Sequence, residues 1–233
     1  MKQHAEFPMK ILAFEFSSSQ RSIAILNAGV SGPLSSGEIV EAGPPPVKAF
    51  AMIEEVLRQT KLEREQVESL VIGIGPGSYS GIRSAIALAQ GWQLALPVKV
   101  VGISSVECLA AHAHEEGIRG SIQIAIDAQR NEFYLAGYDI GDSGWVQTSP
   151  LCLAGVHEVR TCAQQQNGAS ATRQLLIGPE VEPFHGRILF PRATTLARLA
   201  LGRKDFVPAN KIEPIYLRET SFVKAPAPRT LPQ

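Results

Sequence analysis

A local pattern that occurs twice constrains this chain more than any other feature. Residues 14–26, FEFSSSQRSIAIL, and 125–138, AIDAQRNEFYLAGY, each run an apolar strand into an acidic residue, then a turn with Gln-Arg, then a second strand. Each half goes on to a third strand, a helix, a further strand and a further helix. Strands that alternate with helices pack as a mainly parallel sheet with helices on its faces. A repeated order of this kind implies a duplicated α/β unit, so the 233 residues are expected to form two related lobes.

The periodicity of apolar residues places the elements. In the first half, strands are expected over 10–16, 21–26, 37–41, 69–75 and 99–103. Helices are expected over 47–60, where Phe50, Ile53, Val56 and Leu57 recur at helical spacing, and over 82–96. Ser104 or Ser105 is expected to cap a helix through Val106, Leu109 and Ala110. In the second half, strands are expected over 121–126, 132–138, 147–153 and 175–178, with helices over 155–166 and 194–201. Gly43-Pro44-Pro45-Pro46 suits neither a helix nor a central strand and reads as a connector. The lobes are assigned to residues 9–106 and 107–218, with flexible segments at 1–8 and 219–233; the stretch from Ala225 holds three prolines.

Composition narrows the function classes. Twenty-two basic residues balance twenty-two acidic ones, a poor basis for binding nucleic acid unaided, since that binding rests on neutralising phosphates. Cys108, Cys152 and Cys162 show no CxxC spacing and are odd in number, which suits buried reduced thiols and a cytoplasmic protein. No run reaches the ~18 apolar residues of a membrane span, so no membrane association is expected.

Two constellations could carry chemistry. The loop Gly75 to Arg83, GPGSYSGIR, joins a strand to a helix N-terminus, where backbone N–H groups and the helix dipole favour an anion. It lacks the ending of a phosphate-binding Walker loop and the glycine spacing of a dinucleotide fingerprint. The plain alternative is that its glycines permit a tight turn and close helix–strand contact. Arg83, in the first turn of the helix, should need an acidic neighbour, either a carboxylate of this chain or a partner's. The second constellation is the pair Glu15 and Asp127 at matching strand ends, where a magnesium–nucleotide would sit across a cleft. Neither adjoining turn contains glycine, which argues against gripping phosphates. Glu15, Gly75, Gly77, Ser78, Gly81 and Asp127 are therefore candidates only for a vestigial nucleotide or anion site. His112 and His114, two apart on a helix, cannot share an ion on one face, and no metal site is expected. On the helix from Ile82, Ala87, Gly91 and Ala95 fall at spacing four and form a smooth strip that another helix could approach.

Several segments resemble the TsaB (YeaZ-like) family. They are MKILAFEFSSSQRSIAIL from Met9, the block VIGIGPGSYSGIRSAIALAQGWQLALPVKVVGISSVECLA from Val71, IAIDAQRNEFYLAGYD from Ile124, and EPIYLRE from Glu213. They run in order along nearly the whole chain. Two departures stand out: Glu15 replaces the usual aspartate, and Gly43 to Pro46 replace a His-Ser-containing stretch. The resemblance implies the actin-like ATPase (ribonuclease H-like) two-lobe fold, in a paralogue of TsaD that lacks TsaD's metal histidines and is glycoprotease-like in older naming only. It also implies a non-catalytic subunit. Such a subunit docks on a TsaD-like catalytic subunit through its first-lobe helices, acts with a TsaE-like ATPase, and meets tRNA only through the complex. The complex transfers a threonylcarbamoyl group to the adenosine beside the anticodon. No cofactor is expected. The docking candidates are Phe50, Ile53, Ile82, Arg83, Ile86, Ala87, Gln90, Gly91 and Ala95. The alternatives are an ATP-dependent transferase or kinase using Glu15 and Asp127, and a homodimeric binding module.

Overall fold

The computed structural model describes residues 9–28, 35–43, 48–165 and 174–217. The expected segments 1–8 and 219–233, Pro44 to Pro46, and Arg218 lie outside them. The first half contains β1 (Met9–Glu15), β2 (Gln20–Ala28), β3 (Ser35–Ala42), α1 (Ala49–Thr60), β4 (Ser69–Gly73), α2 (Tyr79–Ala95), β5 (Lys99–Ile103) and α3 (Ser105–Glu115). The second contains β6 (Gly120–Asp127), β7 (Glu132–Gly141), β8 (Gly144–Gly155), α4 (Val156–Gln165), β9 (Leu175–Gly178), β10 (Arg187–Ile188) and α5 (Ala193–Ala200).

The two sheets share one topology. The orders are β3-β2-β1-β4-β5 and β8-β7-β6-β9-β10, each an antiparallel meander continued by parallel strands. This is the duplicated two-lobe actin-like arrangement. β1 and β4 are apolar and buried on both faces, as central strands between two helical layers must be. α1 and α2 cover one face of the first sheet through Met52, Ile53, Val56, Ile82, Ala85, Ile86 and Ala89. α5 covers the other face through Ala193, Leu196, Ala197 and Ala200, a 3–4 spaced apolar stripe. α3 packs on the second sheet with Val106, Leu109, Ala110 and Ala113, and α4 covers that sheet's far side.

The chain crosses back near its end. α5 packs on β1, β2 and β4, although its residues fall within the expected second lobe. Beyond it, the Val207 amide donates to Val100 and the Ile215 amide to Ile74, so 207–215 runs along the first sheet and beside α2. The lobes also differ at one element. Where the first half has α2, the second has only a three-residue 3-10 turn, Glu182–Phe184, between β9 and β10.

Local details depart from expectation in three places. α2 begins at Tyr79, three residues before the expected Ile82, because Ser78 is its N-cap and accepts from the Gly81 amide. Ser104 takes the N-cap position of α3, but its hydroxyl is buried without a partner; the Ser105 hydroxyl turns to Glu15 instead. Of the three cysteines only Cys108 is buried, Cys152 being exposed on β8 and Cys162 half-buried. No helix among the described residues is long and apolar enough to cross a membrane.

Candidate functional site

The glycine loop is fitted against the β1–β2 hairpin. A Cβ on Gly77 would lie 2.1 Å from the Ser17 carbonyl oxygen, and one on Gly81 2.0 Å from that of Phe16. Both contacts are to backbone, so neither position admits a side chain without moving the strand. The Ser78 amide donates to Ser17 O at 2.7 Å, and the Ser105 amide to Gly75 O at 2.7 Å. The glycines thus serve close packing of helix on strand. Arg83 has no carboxylate partner among the described residues; it donates to the Tyr79 hydroxyl and lies 5.0 Å from the centroid of that ring, which stacks on Tyr216. Within this chain two tyrosines, rather than a carboxylate, are its neighbours among the described residues.

Glu15 is fully buried at the end of β1. Its carboxylate accepts from the Ser17 amide at 2.7 Å and the Ser105 hydroxyl at 3.1 Å, and a Cβ on Gly73 would lie 2.1 Å from it. Burial pushes its pKa up, against the pull of these hydrogen bonds. Asp127 accepts from both the amide and the side chain of Gln129, tying its own turn. That turn holds Gln129, Arg130 and Asn131 at positive φ, with no glycine to relieve it. No hydrogen bond joins the two acids. Among the described residues no group of three or more His, Cys, Asp or Glu could hold a metal. His112 meets the Phe190 carbonyl and His114 that of Asp142.

The open surface begins beside the glycine loop, where Phe16, Ser80 and Gly81 are part of its lining. A groove of about 970 Å³ runs between α1 and α2. Ala49, Phe50 and Ile53 line it from α1, and Ala87, Leu88, Gly91, Trp92 and Ala95 from α2; Phe16 and Arg21 of the hairpin also reach it. Phe50 is 73% exposed and Leu94, on the outer turn of α2, 90%. Nothing lies within 4 Å of a Cβ built on Gly91, so the strip is uncovered. Of the docking candidates, Phe50, Arg83, Ala87, Gly91 and Ala95 face outward. Ile82 and Ile86 are core residues that anchor α2 to its own sheet, and Ile53, also buried, only edges the groove. Gln90 is half-buried, with its amide 3.4 Å from the Ala209 carbonyl. Sequence reasoning missed Leu88 and Trp92, although their spacing of four beside Ala87 and Gly91 carried the signal. It gave Arg21 no role.

A family model described as "TsaD: tRNA N6-adenosine threonylcarbamoyltransferase" matches residues 47–177. A Haemophilus influenzae protein named tRNA threonylcarbamoyladenosine biosynthesis protein TsaB is 27% identical over 94% of this chain and 98% of its own length. The Escherichia coli K12 protein of the same name is 25% identical over 90% of this chain and 95% of its own. The chain belongs to the TsaB/YeaZ family. Two solved Pseudomonas aeruginosa structures share its fold, one described as similar to peptidase YEAZ (TM-score 0.74, 23% identity) and one as YeaZ (TM-score 0.72, 22% identity). Each is matched over its whole length by 90% of this chain. On this TsaB/YeaZ fold the uncovered groove between α1 and α2 is open, whereas Glu15 at the end of β1 is sealed.

Proposed function

We propose that this chain is a non-catalytic subunit in the biosynthesis of threonylcarbamoyladenosine in tRNA, and that it docks through α1 and α2 onto a TsaD-like catalytic subunit. The groove between those helices carries this reading. It is long, apolar and uncovered, and a floor of small residues at 87, 91 and 95 lets a partner helix come close. The names of the full-length relatives supply the pathway. The sealed environment of Glu15 and the glycine-free hairpin turns support a subunit that does no phosphate chemistry itself. On this reading the TsaE-like ATPase and tRNA join through the assembly, and the complex works in the cytoplasm.

Gly91→Glu tests the proposal. The exposed position tolerates the side chain, so the monomer should melt within a few degrees of the parent, while a charge on the groove floor should weaken partner binding at least about a hundredfold. Co-purification with the TsaD-like subunit of the same cell, followed by titration calorimetry, reads both outcomes. Unchanged affinity would reject the groove as the docking surface. The rival reading, a transferase or kinase using Glu15 and Asp127, requires magnesium–ATP binding and a turnover that Glu15→Gln removes.

A further inference from the structure

We propose that Arg21 is a receptor for a carboxylate carried by the docked protein partner, and so a determinant of which partner the groove accepts. This rests on the docking reading above.

Arg21 lies one position beyond the last β1–β2 pair, Glu15–Ser22, and faces the groove, where it is 8% exposed. Its Nη1 donates to the Gly43 carbonyl at 2.9 Å, while its Nε is buried without an acceptor. No carboxylate forms an ion pair with it among the described residues. Glu41 stands directly opposite on β3, but its Oε2 accepts from the Lys48 amide at 3.3 Å and it makes no ion pair with Arg21. The more exposed Arg58, Arg64, Arg119, Arg187, Arg198 and Arg203 all reach a carboxylate. Leaving the most buried of these cations unpaired is costly. A guanidinium held so, on the wall of an open groove, is placed to accept an anion from outside, and its planar fork suits a carboxylate.

The neighbourhood strengthens the assignment. Gly81 packs directly on the Phe16 carbonyl, so the first turn of α2, the positive end of its dipole, stands over the same hairpin as Arg21. Most of the groove is apolar, with Phe16, Phe50, Ala87 and Leu88 on its walls and Ser80 and Ser84 at the start of α2. The other cation lining it, Arg64, is paired with Glu54, and Glu65 lies beside it. A single anion-accepting point in a largely apolar trough fits an amphipathic protein segment with one acidic residue, and a nucleic acid or free nucleotide would need more positive charge.

The test is the affinity of the full chain for the TsaD-like subunit, measured for the parent, Arg21→Gln, Arg21→Lys and Gly91→Glu. Arg21→Gln should weaken binding about tenfold or more, Arg21→Lys should recover only part of it, and Gly91→Glu should abolish it. If Arg21→Gln binds within about twofold of the parent while Gly91→Glu does not bind, the inference fails and the docking reading stands. If the parent itself does not bind, both fall. A second measurement needs no variant: the Arg21 Nε–H resonance of nitrogen-labelled parent should move and exchange more slowly when the partner is added. An unmoved resonance overturns the inference. So does the same movement with inorganic phosphate alone, which would mark a free-anion site. A parent homodimer dissolved by Arg21→Gln, with partner binding unaffected, would assign the seat to a second copy and overturn it too.

Discussion

Glu15 shows how burial reshapes a carboxylate at a strand end. A carboxylate that binds a metal needs open oxygens, and those of Glu15 are enclosed by the Ser17 amide, the Ser105 hydroxyl and the backbone at Gly73. Desolvation raises its pKa, so the fold favours its neutral form. The stability this contributes is fully present below the ordinary carboxylate range and is lost as pH rises through the raised value. Glu15→Gln, neutral throughout, can accept from the Ser17 amide with its oxygen and donate to the Ser105 hydroxyl with its NH2, so it should raise the melting temperature at pH 7 by a few degrees. The advantage should shrink on acidification towards the ordinary carboxylate range, as melts across a pH series would show.

At the scale of elements, α5 depends on the first sheet for its start. Its N-cap residue, Arg192, offers no side-chain cap. The Ala193 amide donates to the Ser22 hydroxyl at 2.8 Å, the Thr194 amide to Glu38 at 3.2 Å, and Arg192 pairs with Glu38. Burial alone would raise the pKa of Glu38, but Arg192 and the Thr194 amide outweigh it and hold the group below its usual range. Its contribution is therefore present at neutral pH and lost as pH falls through the lowered value. Glu38→Gln should cost about 2 kcal/mol at pH 7, with a smaller difference in acid, read from urea midpoints. Most elements were legible in the sequence, because apolar runs such as KVVGI and LLIG leave little choice. The 3-10 turn in place of a second helix after β9 was not, since the glutamate, prolines and glycines of 178–186 signal only a break. The destination of α5 was not legible either: an apolar stripe shows that a face will be buried but not against which sheet. The groove proposed for docking was half legible. A spacing of four identified the strip, but only packing could separate Ile82 and Ile86, which hold α2 down, from Leu88 and Trp92, which line the groove.

For the whole molecule, the return of 207–215 matters most. Gln93 of α2 ties this strap to the chain just before β5: its Oε1 accepts from the Ala209 amide at 2.7 Å and its Nε2 donates to Val98 O at 2.9 Å. The C-terminal strap thereby braces the back of the helix whose front lines the groove. Gln93→Leu should leave both backbone groups unsatisfied, costing about 2 kcal/mol. It should also speed amide exchange at Val207 and Ile215, whose partners are on β5 and just after β4. Weaker partner binding without any change on the groove surface would follow, and exchange mass spectrometry beside calorimetry would separate the two effects.

The short turn at Glu182–Phe184 has one more effect. Duplication could have given the molecule two equivalent contact faces, and a chain with two such faces can add copies end to end without limit. Among the described residues the second half lacks the counterpart of α2, so no second two-helix trough of this kind is formed there. A single trough can seat one partner, so a complex formed only between it and a non-identical protein would close at one to one.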